Sequence, residues 1–459
     1  MFFRQVLHED LGCASYVVAD GGEAVVIDPK WDISDYLELA DEHGFAIAHI
    51  LETHNHADHV SGKGRLAKAT GAVIHVPAGA GVEFAHEPLA DGDRVTVGEV
   101  AIVALATPGH RPEHTAYLVA DESRGAEPWL VVTGDSLFVG DVARPDLAVD
   151  KEEGAHGLYA SVKRLLELDD FAEVWPGHIG GSLCGGAGMS EKPGTTIGFE
   201  RRFNPLVSSP DEDSFVRALT RNLAPQPPNF QRIVALNRGP LLTESEPPEA
   251  LLPAAVAERL AAGATLLDGR DTLAYDGSHV PGSINVTMVR AAVGTRAAWV
   301  VDSENEVLVT AGTDAGAARL ALLLEAVGFR RIAGLLAGGM AAWRQAGLPV
   351  ESTVAIDIPE LAARLRRDDV RLLDVRDQDE WEEGHVEGSR HVPYYDLGKG
   401  VPDDLENGDK PLAVACSVGN RSSIAVSLLR RAGVEDVVHV ASGGVAELAD
   451  EGIELVQTD

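Results

Sequence analysis

Within residues 52–62, ETHNHADHVSG, three histidines and an aspartate fall inside six positions: His54, His56, Asp58 and His59. Imidazole and carboxylate are the donors a divalent ion takes, and so dense a set is costly to bury without one. Three further candidates follow, His110 in TPGH, Asp135 in TGD and His178 in PGH, each closing a run that reads as a β-strand. Side chains at the same ends of neighbouring strands converge, so the seven form one candidate centre. A second chemistry lies near the C-terminal end, in LAVACSVGNRSSIAVSLLRRAG. It reads as a buried strand, a loop and an amphipathic helix from about Ser422, with Cys416 closing the strand and Arg421 closing the loop. The N–H groups of Ser417, Val418, Gly419 and Asn420 would form an anion nest, helped by the helix N-terminus and Arg421. Such a nest favours a negative persulfide on Cys416.

The elements that position these groups are legible from their periodicity. YVVAD, AVVIDP, AHILETH, AIVALATPGH, WLVVTGD and EVWPGH read as strands running into loops, with helices near residues 33–43 and 155–167. LNRGPLLTESEPPEALLP, with four prolines, reads as a linker. Beyond it the chain repeats: LLDGRDTLAYDGSHVPGSINV from Leu266 is answered by LLDVRDQDEWEEGHVEGSRHV from Leu372. At a constant offset of 106, Asp268 matches Asp374, Arg270 matches Arg376 and His279 matches His385, while Gly338-Gly339 answer Gly443-Gly444 at 105. Two adjacent domains of one α/β fold with parallel sheets explain the pattern.

The 38 basic and 72 acidic residues give a net charge of −34, which disfavours nucleic acid and anionic membrane as partners. No run of about 18 apolar residues occurs, so a cytoplasmic protein with no membrane partner is expected. The three cysteines, Cys13, Cys184 and Cys416, are too scattered for a disulfide framework and fit a reducing compartment. Cys13, leading into a strand, reads as a core filler. Cys184, in the glycine-rich GGSLCGGAG six residues after His178, reads equally as a buried small residue and as a relay thiol.

THNHADH followed in order by TPGH, TGD and PGH resembles the metallo-β-lactamase superfamily, an αββα sandwich with its metal at one edge. The resemblance implies two pockets. His54, His56 and His110 would line the first, Asp58, His59 and His178 the second, with Asp135 between them. One or two Zn(II) ions and thioester hydrolysis, as in glyoxalase II, are then open. A narrower resemblance, carried by SLFVGDVARPDL, PGHIGGSLCG and TTIGFERRFNP, is to persulfide dioxygenases fused to rhodanese domains. It implies one Fe(II) per chain on His54, His110 and Asp135, with His56, Asp58, His59 and His178 as supporting groups. It also implies that Arg144 holds the carboxylate of the thiol carrier.

The C-terminal repeats resemble tandem rhodaneses through LLDVRDQDEWEEGHVEGSRHVPY and CSVGNR. The six residues from Cys416 to Arg421 match sulfurtransferases, where related phosphatases use seven. In the first repeat, VLVTAGTDAGAARLA puts Thr310 or Ala311 at the cysteine position and Ala315 or Gly316 at the arginine, so that repeat carries no persulfide. The expected organisation is a metallo-β-lactamase-fold domain at 1–235, a linker at 236–255, an inactive rhodanese at 256–351 and an active one at 355–459. The expected chemistry is oxidation of a glutathione or coenzyme A persulfide by O2 to sulfite, with Cys416 passing sulfur, to sulfite among other acceptors, giving thiosulfate. A di-zinc hydrolase with a sulfurtransferase tail, and a sulfur carrier with a vestigial metal site, are the alternatives. The oligomeric state, a homo-oligomer included, stays open.

Overall fold

The structure is a computed structural model that describes every residue except 9, 181, 183, 187, 222, 289–291, 407 and 459. Its contacts divide the chain into two compact units: residues 1–245 with 325–328, and the remainder of 246–459.

In the first unit, alternating apolar runs build two six-stranded sheets. One runs in chain order through Phe2–His8, Cys13–Asp20, Glu23–Ile27, Ala46–Leu51, Val73–Pro77 and Glu87–Leu89. The other runs through Arg94–Val97, Val100–Ala106, Thr115–Asp121, Leu130–Gly134, Glu173–Pro176 and Thr195–Thr196. Tyr16, Val18 and Val25 from the first sheet share a core with Ile102, Tyr117 and Val132 from the second. The outer face of the first sheet packs Val17, Val26 and Ile47 against Tyr36 and Leu66 of the helices Ser34–His43 and Lys63–Thr70. The outer face of the second packs Val131 and Val174 against Leu158, Val162 and Phe215 of Lys151–Leu165 and Glu212–Thr220. The layering is therefore helix, sheet, sheet, helix, as the motifs imply.

The second unit holds two five-stranded parallel sheets of one topology. The first is ordered Ala250–Leu251, Ile332–Leu336, Val307–Thr310, Thr265–Asp268, Ile284–Asn285. The second is ordered Val354–Asp357, Val437–Ser442, Leu412–Ala415, Arg371–Asp374, Arg390–His391. Asp268 and Asp374 are both fully buried, and each grips its own arginine at 2.6 Å, Arg270 and Arg376, as structural counterparts should. His279 and His385 likewise each bond, through Nδ1, the carbonyl four residues earlier at 2.9 Å.

The stretch read as a linker is shorter than 236–255. A helix continues over Phe230–Arg238, because Phe230, Ile233, Val234 and Asn237 share one buried face. At the other end Ala250–Leu251 already pairs with Leu335–Leu336, and Pro253 starts the helix Pro253–Ala261 at a position where its missing N–H costs nothing.

Candidate metal centre and thiol loop

Four strand ends supply the first site. After Ala46–Leu51 the chain turns through Glu52–Ser61; after Val100–Ala106 come His110 and His114; Asp135 follows Leu130–Gly134; His178 follows Glu173–Pro176. Two anchors that the sequence did not single out hold the histidine-rich turn. The Asp28 carboxylate accepts from Thr53 N–H at 2.7 Å and Thr53 Oγ1 at 2.8 Å. The Asn237 amide donates to the carbonyls of His56 at 2.9 Å and His59 at 2.8 Å, and accepts from Ser61 N–H. Gly134 takes φ +51°, and a side chain there would meet His114 Nε2 at 2.7 Å, so the glycine of TGD is a requirement of the site.

His54, His110 and Asp135 come together, each almost wholly buried, with one donor atom apiece mutually within 4.8 Å. Asp135 Oδ2 lies 3.4 Å from His110 Nε2 and 4.0 Å from His54 Nε2. It also lies 3.1 Å from His178 Nε2, yet neither Asp135 Oδ2 nor His54 Nε2 has a hydrogen bond. Buried polar atoms that converge without bonding are what a cation would satisfy. The far side of each ligand is already oriented: His110 Nδ1 donates to the Arg144 carbonyl at 2.9 Å, and His54 Nδ1 meets Thr53 Oγ1 at 2.9 Å. His114 accepts from Asp135 N–H through Nε2 at 2.9 Å and bonds Thr107 Oγ1 through Nδ1 at 2.8 Å. Burial, with the neighbouring histidines, holds His54 well below the usual imidazole range, and burial lowers His110 and His114 too. The direction of these shifts favours the neutral ring, the form that binds metal. Burial opposes ionisation of Asp135, but facing His178 and His110 outweigh it and hold the carboxyl low.

The other four histidine and aspartate candidates sit beside this triad in different company. His56 Nε2 lies 3.1 Å from Asp28 and 3.5 Å from Glu52, not within reach of His110 and Asp135 as a group. Asp58 is met by His59 Nδ1 at 3.2 Å and by the Cys13 thiol at 2.9 Å. Cys13 is thus buried as expected of a core filler, but its thiol donates to a carboxylate of the site. His178 is steadied by Ser182 at 2.8 Å. Asp58 and Asp135, outweighing burial, push His59 and His178 respectively well above the ordinary histidine range. Two further donor groups, His56 with Asp58 and His59, and Cys13 with Asp58 and His178, also fall within 4.8 Å.

Cys184 is buried beside His178 and Asp135, and burial pushes its thiol far up. A relay role at Cys184 would therefore start from the protonated thiol. Arg144 differs from its reading as an anion receptor. It is buried, and its guanidinium donates to Asp146 at 2.7 and 2.8 Å and to the Ala224 carbonyl at 2.7 Å. What Arg144 brings to the metal pocket is its carbonyl on His110.

In the second unit Cys416 follows the strand Leu412–Ala415 and is buried. Gly419, at φ +91°, aims its N–H at Cys416 Sγ over 3.1 Å. A side chain at Gly419 would meet the Ala441 carbonyl at 2.5 Å. The helix spans Asn420–Arg431, so Arg421 lies in its first turn rather than closing the loop ahead of it. Arg421 makes its hydrogen bonds to carboxylates and a hydroxyl: it pairs with Asp377 at 2.6 Å and with both oxygens of Glu380, and donates to Ser417 Oγ at 2.6 Å, while its charge still acts on Cys416. Burial opposes its charge, but Glu380 outweighs it and fixes the guanidinium as a cation. The loop tip, Val418, is exposed.

Among known proteins, residues 8–178 match the family model described as the metallo-beta-lactamase superfamily, and residues 252–346 and 357–451 each match the rhodanese-like domain. A hydroxyacylglutathione hydrolase of Methylobacillus flagellatus is 33% identical over 160 residues, which are 34% of this chain and 58% of that relative's length. The mitochondrial persulfide dioxygenase ETHE1 of Bos taurus is 27% identical over 244 residues, 52% of this chain and 87% of that one. The crystal structure of a metallo-beta-lactamase from Staphylococcus aureus subsp. aureus COL superposes with a TM-score of 0.64 at 29% identity, covering 73% of this chain and 98% of its own.

Proposed function

We propose, from the premise that this chain belongs to the metallo-beta-lactamase superfamily through its first domain and carries two rhodanese-like domains after it, that it is an enzyme of sulfur metabolism with two centres. The first oxidises a low-molecular-weight persulfide, of glutathione, coenzyme A or a similar thiol, to sulfite. The second transfers sulfane sulfur through Cys416.

One observation carries the first assignment: two imidazole nitrogens and one carboxylate oxygen converge within 4.8 Å, all buried and two of them, His54 Nε2 and Asp135 Oδ2, unbonded, from histidines whose other faces are already held. His54, His110 and Asp135 fit a single Fe(II). Bound there, the ion would supply open positions for a persulfide sulfur and O2. The chain's own part is orientation. The Arg144 carbonyl and Thr53 hydroxyl present the two Nε2 atoms, His114 fixes the Asp135 backbone, and the buried walls exclude bulk water. One persulfide, one O2 and one water give one thiol, one sulfite and two protons. At the second centre the Cys416 thiolate takes sulfane sulfur from a donor and passes it on; with sulfite as acceptor the product is thiosulfate. The likeness to the bovine persulfide dioxygenase supports the first of these chemistries, and the rhodanese-like matches support the second.

A second reading, a di-zinc thioester hydrolase, draws on the two extra donor groups around Asp58 and on the likeness to a hydroxyacylglutathione hydrolase. Anaerobically purified protein, analysed for metal, decides between them. The proposal expects one iron per chain and O2 uptake on adding glutathione persulfide. Two zincs with hydrolysis of S-lactoylglutathione and no O2 uptake would overturn it. No helix among the described residues is long and apolar enough to cross a membrane.

A further inference from the structure

The first rhodanese-like repeat has no cysteine, yet one of its side chains ends a hydrogen-bonded chain that begins at the thiol of the second. Cys416 Sγ lies 3.5 Å from Ser422 Oγ. Ser422 Oγ lies 3.0 Å from His439 Nε2, and His439 Nδ1 lies 2.6 Å from Asp276 Oδ2. Asp276 belongs to the helix Thr272–Gly277 of the first repeat; the other three belong to the second. All four are at most 3% exposed.

The contacts constrain where protons sit. A carboxylate only accepts, so at 2.6 Å the His439 Nδ1 atom carries the hydrogen. A buried carboxylate needs a compensating donor, and Asp276 Oδ1 has no hydrogen bond, so His439 is the side chain that meets this need. On the other edge, Nε2 lies 3.0 Å from Ser422 Oγ, a hydroxyl that can donate to it or accept from it, and 3.0 Å from the Gly419 carbonyl, which also accepts from Ser422 Oγ at 2.9 Å. The ring therefore has a bonding site for a second proton already in place. The first repeat also fixes the helix that carries Ser422: the Asn285 side chain meets Ser423 Oγ at 2.6 Å, and Asn285 N–H donates to Ser427 Oγ at 3.1 Å.

We propose that Asp276, in the repeat without a thiol, is a positioning residue for Cys416, holding His439 so that the imidazole receives the thiol proton through Ser422. The step balances. Cys416 S–H gives its proton to Ser422 Oγ as the Ser422 hydroxyl proton passes to His439 Nε2, leaving a thiolate and an imidazolium paired with Asp276. The thiolate then attacks the sulfane sulfur of thiosulfate; the new S–S bond forms, the old one breaks, and sulfite leaves with the electron pair. This rests on the reading of Cys416 as the sulfur-transferring thiol, and it turns the first repeat from a packing module into part of the second centre. The other charged or titratable groups packed around the chain have partners of their own: Arg421 with Glu380 and Asp377, Glu447 on the Gly444 N–H, and Tyr275 on the Ser283 carbonyl.

The test reads the thiol directly. Full-length protein is treated with iodoacetamide across a pH series, and alkylation of the Cys416 peptide is followed by mass spectrometry. Asp276→Asn, which keeps the shape, is expected to slow alkylation about tenfold at neutral pH and to move the midpoint of the profile to higher pH by about one unit, the two being one effect. His439→Gln should do the same, and the double variant should be no worse than His439→Gln alone. If Asp276→Asn fails to fold by circular dichroism, His439→Gln and Ser422→Ala carry the test with the same expected shift. An unchanged midpoint in every folded variant overturns the proposal, as does an effect of Asp276→Asn that persists undiminished on His439→Gln. Thiosulfate-to-cyanide transfer is assayed in parallel. Wild-type protein that transfers no sulfur while its alkylation profile still depends on Asp276 would sink the sulfurtransferase reading and leave the proton chain standing.

Discussion

The two rhodanese-like repeats have the same sheet order, the same buried Asp–Arg pair and the same histidine bonded back to its own turn, and they part company at the end of one strand. Register makes the comparison direct. Asp268 pairs with Thr310 and Asp374 with Ala415, so Ala311 stands where Cys416 does. The alternative of Thr310 at that position is thereby removed. Across from Val414 stands His439, and across from Val309 stands Leu335. In the first repeat the helix Asp314–Ala326 opens on its own carboxylate, and Asp314 accepts from the Gly338 N–H at 2.9 Å. The helix Asn420–Arg431 has no acidic residue in its first turn. One repeat fills its anion-favouring helix end from within; the other leaves it for a sulfur. A fold of this kind keeps its sheet without its chemistry, because no ladder hydrogen bond passes through the loop.

The largest test of that contrast is Cys416→Ser, which should cut thiosulfate-to-cyanide transfer at least about a hundredfold while O2 uptake continues. Adding Ala311→Cys to that variant should restore nothing, since Asp314 and Leu335 occupy the surroundings a thiolate would need; restored transfer would break the comparison. Asp135→Ala draws its outer boundary: iron content and O2 uptake should be lost with transfer at Cys416 intact. In the same pocket His114→Ala should weaken iron binding roughly 10- to 100-fold, measured by chelator competition. One glycine from each loop gives a smaller effect. Gly419→Ala should destabilise by about 1–3 kcal/mol in urea melts, because its φ is positive and the Ala441 carbonyl is in the way. Gly312→Ala, with open space around it, should change little. A modest effect is expected at Glu380. Burial opposes its ionisation, but Arg421 outweighs it and lowers the carboxyl. Its folded value is therefore below its unfolded one, so the contribution is present above the ordinary glutamate range and lost as pH falls toward the folded value. Glu380→Gln should cost a few tenths to about 1 kcal/mol at pH 7 and flatten the acid limb of a stability–pH curve.

What the sequence made legible followed from spacing. His54, His110 and Asp135 close strands of one sandwich, so their motifs alone bring them together, and Cys416 is marked by the glycine loop after it. Groups from distant segments left no such mark. Asp28 is an ordinary strand end until it bonds Thr53, and Asn237 lies among residues that read as linker. His114 stands four residues after His110, yet HRPEH reads as a turn rather than as two groups of one site. Arg421 was read for its charge alone, but a guanidinium goes to the nearest carboxylates, and Asp377 and Glu380 come from a stretch 44 and 41 residues away in sequence. Asp276 pairs with His439 across 163 residues, which no periodicity announces.

The bonds from Asn285 to Ser423 and Ser427 also bear on how the protein is made. Synthesis runs from the N-terminus, so every strand of the first repeat, the last ending at Leu336, is made before residues 420–431. The helix that follows Cys416 buries three serines, Ser422, Ser423 and Ser427, whose hydroxyls would be poor guests in an apolar core without partners. Ser423 and Ser427 find theirs on a surface already built. Two of the three buried hydroxyls of the later copy are thus answered by the copy that is made before it.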